Sequence, residues 1–146
     1  MQIIICEDNE GMKNRLHSIA ESCIIEMKED MKCVIKSFDS SCEELDEIIK
    51  SKGDKIYILD VELKGNENGT FIAQKIRLTD RKSKIIFITS HDDEIHNILY
   101  RHIEVMDFIS KNDEGQWKDS GTFHLSFLFL FDKSIVSIII NYRWLK

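Results

Sequence analysis

Cysteine is scarce and falls without pattern: Cys6, Cys23, Cys33 and Cys42 are separated by 17, 10 and 9 positions. No paired-cysteine metal spacing and no small disulfide scaffold has that arithmetic, so reduced and mostly buried thiols are expected. Positive charge is also short. Lysine and arginine total 20 against 26 acids, for a net charge of −6 and a pI near 5.4. That balance lacks the general positive field that attracts nucleic acid, and direct DNA binding by this chain is not expected. A secretion signal is missing as well, because Met-Gln-Ile-Ile-Ile-Cys runs straight into Glu7 and Asp8, with neither a basic start nor a long apolar middle. A cytoplasmic location is expected. The apolar stretch over 123–140 is split by Asp132 and Lys133 into pieces too short to cross a bilayer, so no membrane span is expected. With 146 residues, 42% of them hydrophobic, what remains is one globular domain with a real core.

The apolar residues fall into alternating short runs and stripes. Residues 2–6 form a short run ending in acids, which suits a strand buried on both faces. From Gly11 onward, Met12, Leu16, Ile19, Ala20, Cys23, Ile24 and Met27 recur at three- and four-residue steps, the stripe of an amphipathic helix. A second strand is expected over 33–38. Ser40 or Ser41, ahead of Glu43 and Glu44, marks a helix start, with Leu45, Ile48 and Ile49 as the inner face and Gly53 as the stop. A third strand, 56–59, terminates in Asp60, and a polar loop over 64–69 feeds a helix carrying Phe71, Ile72, Ala73, Ile76 and Leu78. The fourth strand, 85–88, ends in Thr89-Ser90, a weaker helical stretch covers 92–100, and a fifth strand, 105–109, ends beside Lys111. Strands separated by helices imply an α/β protein with a parallel, doubly wound sheet, because parallel neighbours need crossover connections.

Polar residues then fall where such a sheet places its crevice. Glu7 and Asp8 follow the first strand, Asp60 the third, Thr89 the fourth and Lys111 the fifth, all at carboxyl ends. Three carboxylates brought together repel unless a cation lies between them, and Mg²⁺ is the usual hard, oxygen-seeking choice. A carboxylate that attacks phosphorus gives an acyl phosphate, whose oxygens need a counter-charge such as Lys111 and a hydroxyl donor such as Thr89. Singly, each residue reads as a helix cap, a turn former or ordinary surface. Jointly, acid, acid, hydroxyl and amine in this order are what phosphoryl chemistry requires.

Ile-Cys-Glu-Asp-Asn, Ile-Leu-Asp-Val-Glu-Leu around Asp60, Ile-Thr-Ser-His after the fourth strand and Met-Asp-Phe-Ile-Ser-Lys after the fifth resemble the receiver domains of bacterial two-component response regulators. The resemblance covers about residues 1–114 and is nearest the accessory-gene-regulator type, whose members usually add a LytTR DNA-binding domain. It implies a flavodoxin-like five-stranded sheet of order 2-1-3-4-5. It further implies that Asp60 accepts phosphate from a sensor histidine kinase, with Glu7, Asp8, Asp60 and the backbone carbonyl of Glu62 around Mg²⁺. Thr89 and Lys111 would bind the phosphoryl oxygens, and Phe108 would occupy the family's aromatic switch position. Such a domain is not an enzyme beyond its own phosphorylation and dephosphorylation, and a homodimer is left open.

The chain departs from that pattern after the fifth strand. Asn112 follows Lys111 where many receivers have proline, and the chain has no proline at all. No amphipathic fifth helix is recognisable, so residues 1–114 read as the receiver and 115–146 as an atypical apolar segment, either a degenerate last helix or a hairpin. Net charge shifts from −8 over 1–114 to +2 over 115–146, as a truncated or frame-altered transcriptional regulator would show. Two rivals follow. One is a pseudo-receiver, an interaction domain that keeps the fold and never takes phosphate. The other is a haloacid-dehalogenase-like phosphatase, whose nucleophile lies in an Asp-x-Asp pair; Asp60-Val61-Glu62 and the separate early acid pair disfavour it. His91, next to Ser90, reads as an ordinary loop or helix-start histidine, with tuning of phosphate hydrolysis as its sharper alternative.

Overall fold

The computed structural model describes residues 1–26, 32–91, 93–101 and 103–112. Strands and helices alternate: β1 (Gln2–Cys6), α1 (Glu10–Glu26), β2 (Val34–Phe38), α2 (Glu43–Lys50), β3 (Lys55–Leu59), α3 (Gly69–Thr79), β4 (Lys84–Thr89), α4 (Glu94–Tyr100) and β5 (Asp107–Ser110). The five strands form one parallel sheet of order β2-β1-β3-β4-β5, the flavodoxin-like arrangement expected from the sequence.

Strand burial explains why the short apolar runs were legible. β3 is buried at every position, and β1 and β4 at all but the first, since helices cover both faces of a parallel sheet. Alternate residues serve opposite faces. Ile4, Tyr57, Leu59 and Phe87 pack with Leu45, Ile48 and Ile49 of α2 and Ile72 and Ile76 of α3. Ile3, Ile5, Ile58 and Ile86 pack with Leu16, Ala20 and Cys23 of α1. Each such buried isoleucine contributes roughly 1.5–3 kcal/mol. Ile58→Ala would therefore cost about 2–5 kcal/mol once its cavity is counted.

Local details depart from the sequence reading. The N-cap of α2 is Cys42, without a side-chain cap bond; Ser41 instead gives its hydroxyl to Glu67 Oε2 at 2.5 Å. α2 stops at Lys50, where the Ser51 amide closes the last turn, and Gly53, at φ 116°, lies further on in the turn into β3. Phe71 and Leu78 are exposed on α3, because Ile72, Ala73 and Ile76 take its inner face. β2 begins at Val34, one residue late, and β5 spans Asp107–Ser110, shifted toward the site. All four cysteines are free, but only Cys6 and Cys23 are buried; Cys33 is half-buried and Cys42 exposed. Met27 and the 115–146 segment, with the proposed domain boundary, fall outside the described residues. Among the described residues, no helix is long and apolar enough to cross a membrane.

Candidate functional site

The carboxyl ends of β1, β3 and β5 deliver the expected charged residues to one crevice. The β1 to β3 ladder continues one step beyond the strands through the Asp60 amide and the Cys6 carbonyl, at 2.9 Å, so the two acidic segments leave the sheet side by side. Asn9 then starts α1 by accepting the Met12 amide at 2.9 Å, while its own amide donates to Glu7 Oε1 at 3.0 Å. Donor oxygens of Glu7, Asp8 and Asp60 all lie within 4.8 Å of one another. At that separation two carboxylate charges repel by about 3 kcal/mol at an effective dielectric of about 20.

Lys111 enters from beyond β5, its amide bonded to the Thr89 carbonyl at 2.7 Å. Its Nζ donates to Asp60 Oδ2 at 2.6 Å and lies 2.7 Å from Glu7 Oε2. Burial works against the charge on Lys111, but the two carboxylates outweigh it and hold the ammonium above its usual range. For Glu7 burial prevails: its carboxyl is pushed above the usual range despite the bonds from Lys111 and the Asn9 amide, and Asp60 adds to the rise. Lys111 thus meets two acids of the cluster, Glu7 and Asp60, and Asp60 Oδ1 is buried with no hydrogen-bond partner. Three carboxylates gathered within 4.8 Å and an unmet carboxylate oxygen together fit a divalent cation of the Mg²⁺ type.

Glu7, Asp8, Asp60, Glu62 and Lys111 line a single cavity of about 480 Å³, with Arg15 and Ser90 also on its wall. The Glu62 side chain is exposed, its Oε2 lying 3.0 Å from His91 Nε2. Thr89 does not line this cavity; it is fully buried, and its Oγ1 accepts the His91 amide at 3.2 Å. Phe108 is half-buried, with its ring tilted 30° against Phe87 at a centroid distance of 6.0 Å. Asn112, standing where proline was expected, ties the β5 end to β4 by donating from Nδ2 to the Ser90 carbonyl at 2.6 Å.

Two contributors escaped the sequence reading. Gly69, by sequence the last residue of the polar loop, opens α3 directly against the Asp60 backbone, and a Cβ there would fall 1.8 Å from the Asp60 carbonyl oxygen. Its signal was a glycine at a helix start already capped by Asn68, where no turn demands one. The second is Lys75, which lies 2.5 Å from Asp46 and 3.3 Å from Glu67, bracing the loop that follows Asp60.

Residues 3–117 match the family model described as the response regulator receiver domain. The chain belongs to that family. Receiver architecture also appears in the solved neighbours. The response regulatory domain of protein mrkE from Klebsiella pneumoniae is 24% identical at a TM-score of 0.67, covering 89% of this chain and 94% of that one. Response regulator protein TrrA from Thermotoga maritima, solved in complex with Mg²⁺ and BeF, is 21% identical at a TM-score of 0.56, covering 80% and 94%. Among curated relatives, accessory gene regulator protein A of Staphylococcus epidermidis is 30% identical over 118 residues, 81% of this chain and 49% of that protein. The receiver described here spans about half the length of the curated relatives it matches.

Proposed function

We propose that this receiver takes a phosphoryl group onto Asp60 from a sensor histidine kinase in the cytoplasm. The observation that carries the reading is Asp60 itself: buried, held by Lys111 through Oδ2, and left with an unpartnered Oδ1 at the cavity. In the transfer, a carboxylate oxygen of Asp60 attacks phosphorus, the bond from phosphorus to the donor imidazole breaks, and its electron pair returns to that ring. Glu7, Asp8 and Asp60, with the Glu62 carbonyl, would hold Mg²⁺, the ion also present in the TrrA complex, and it would offset the charge of the incoming phosphoryl group. Lys111 supplies the second positive charge at a fixed distance, and Thr89 supplies a hydroxyl.

Signalling follows if the Thr89 hydroxyl leaves the His91 amide for the new phosphoryl oxygens and Phe108 moves into the space it vacates, changing the face made by α4 and β5. Control of transcription would then need a DNA-binding partner, in cis or in trans, because a net charge of −6 gives this chain no field for nucleic acid.

The test is intact mass after incubation with acetyl phosphate and Mg²⁺. Wild type should gain the mass of one phosphoryl group, while Asp60→Asn, or wild type with EDTA, should gain none. An unchanged wild-type mass would leave the phosphorylation-incompetent reading in its place.

A further inference from the structure

The opposite pole of the sheet carries the other sign of charge. Lys50, Lys52 and Lys55, running from the end of α2 into β3, and Lys82 and Lys84, at the entry to β4, surround a cavity of about 660 Å³. Asp54 and Asp80 are the acids on its wall. Asp80 is already committed, taking bonds from Lys55 Nζ at 2.9 Å, from the Lys82 and Ser83 amides at 3.1 Å each, and from the Ser83 hydroxyl. Five lysines against two aspartates reverse the sign of a chain whose net charge is −6.

The cavity also has a built floor. The Lys55 side chain is only 1% exposed and donates to the Ser51 carbonyl at 2.6 Å and to Asp80, which uses two of its three N–H donors.

We propose that this cavity binds a small ligand bearing a pyrophosphate group, either inorganic pyrophosphate or a nucleoside diphosphate. Its volume is that of a small-molecule pocket, and its concave form suits a compact anion. Lysines without an arginine on the wall act as separate point charges, which suits a multiply charged phosphate group better than the planar fork needed for a single carboxylate. Lys52 and Lys82 reach it from two different connections, with Lys55 beneath. The site stands at the far end of the sheet from Asp60, so it does not depend on phosphoryl transfer there.

The ¹⁵N-labelled protein, titrated with inorganic pyrophosphate and with ADP in EDTA-containing buffer, tests this without loading the acidic site with metal. Saturable amide shifts should centre on Lys52, Gly53 and Ser83, and weaken with added salt. Lys52 and Lys82 are exposed, so Lys52→Ala with Lys82→Ala should keep the fold and lower affinity about tenfold or more. Asp60→Asn should bind as wild type does. Equal affinity for the two probes assigns the pyrophosphate group alone, and tighter ADP binding assigns a nucleotide. Absence of saturation, shifts centred on the acidic site, an unaffected double variant, or binding of a polyglutamate peptide in place of either phosphate would each overturn the proposal.

Discussion

Gly69 and Asp60 meet backbone to backbone: a Cβ on the first residue of α3 would lie 1.8 Å from the Asp60 carbonyl oxygen and 2.8 Å from its carbon. The Gly69 amide also donates to the Val61 carbonyl at 2.9 Å, so the helix start is docked on the segment that carries the Asp60 carboxylate, the proposed acceptor. Gly69→Ala must therefore move Asp60 or the helix. It should destabilise the fold by about 1–3 kcal/mol in urea titration and slow phosphoryl uptake at Asp60. Gly11→Ala is the control, since its added methyl meets only the Asn9 side chain at 3.4 Å. Inside α1 it should be neutral or stabilising by up to about 1 kcal/mol.

Lys111 would compete with the proposed cation for the same two carboxylates, lying 2.6 Å from Asp60 and 2.7 Å from Glu7. Lys111→Met should thus raise Mg²⁺ affinity by about tenfold in calorimetry, because one positive charge leaves the site. Thermal stability without metal should drop, since two buried acids lose their partner, and Mg²⁺ should restore it. Phosphoryl uptake should fall even with the metal bound.

The raised pKa of Glu7 sets a pH dependence. A metal ligand must be ionised, so Mg²⁺ affinity should decline with acidification while the pH is still above the range where an ordinary glutamate protonates. Glu7→Gln should flatten that decline. In the metal-free protein the sign is opposite: an acid whose folded pKa is raised favours the fold in its protonated form, and this contribution is lost as pH rises through the folded value.

Asp80 should behave in the reverse sense. Burial pushes its carboxyl up, but bonds from Ser83 and Lys55 outweigh that and hold it at about 2, against an ordinary value of 3.8. Its contribution is full above the ordinary value and disappears as pH falls toward 2. Asp80→Asn should cost roughly 2 kcal/mol near neutrality, or more because buried Lys55 loses its acidic partner and keeps only the Ser51 carbonyl. Urea titrations of wild type and variant should converge as pH drops through that window.

The sheet was legible because β1, β3 and β4 are continuous apolar runs buried on both faces, and polar residues stop each run at its carboxyl end. Strand topology then brought Glu7, Asp8, Asp60 and Lys111 together from well-separated stretches of the sequence, as order 2-1-3-4-5 requires. Caps were less legible. Ser41 was the better N-cap by residue type, yet Glu67 from a distant loop captured its hydroxyl and Cys42 took the position. Phe71 and Leu78 looked like core by hydrophobicity, but a helix covering one side of a sheet has room for only one inner stripe. Gly69 and the lysine cavity depend on close approach between segments distant in sequence, which no local pattern records.

The central claim is that Asp60 forms an acyl phosphate. Borohydride reduces such a bond and turns the aspartate into homoserine, so peptide mass spectrometry after treatment with acetyl phosphate and Mg²⁺ reads the acceptor directly. Homoserine should appear at position 60 and disappear with EDTA. Homoserine at another position, or none while Mg²⁺ is bound, would contradict the account.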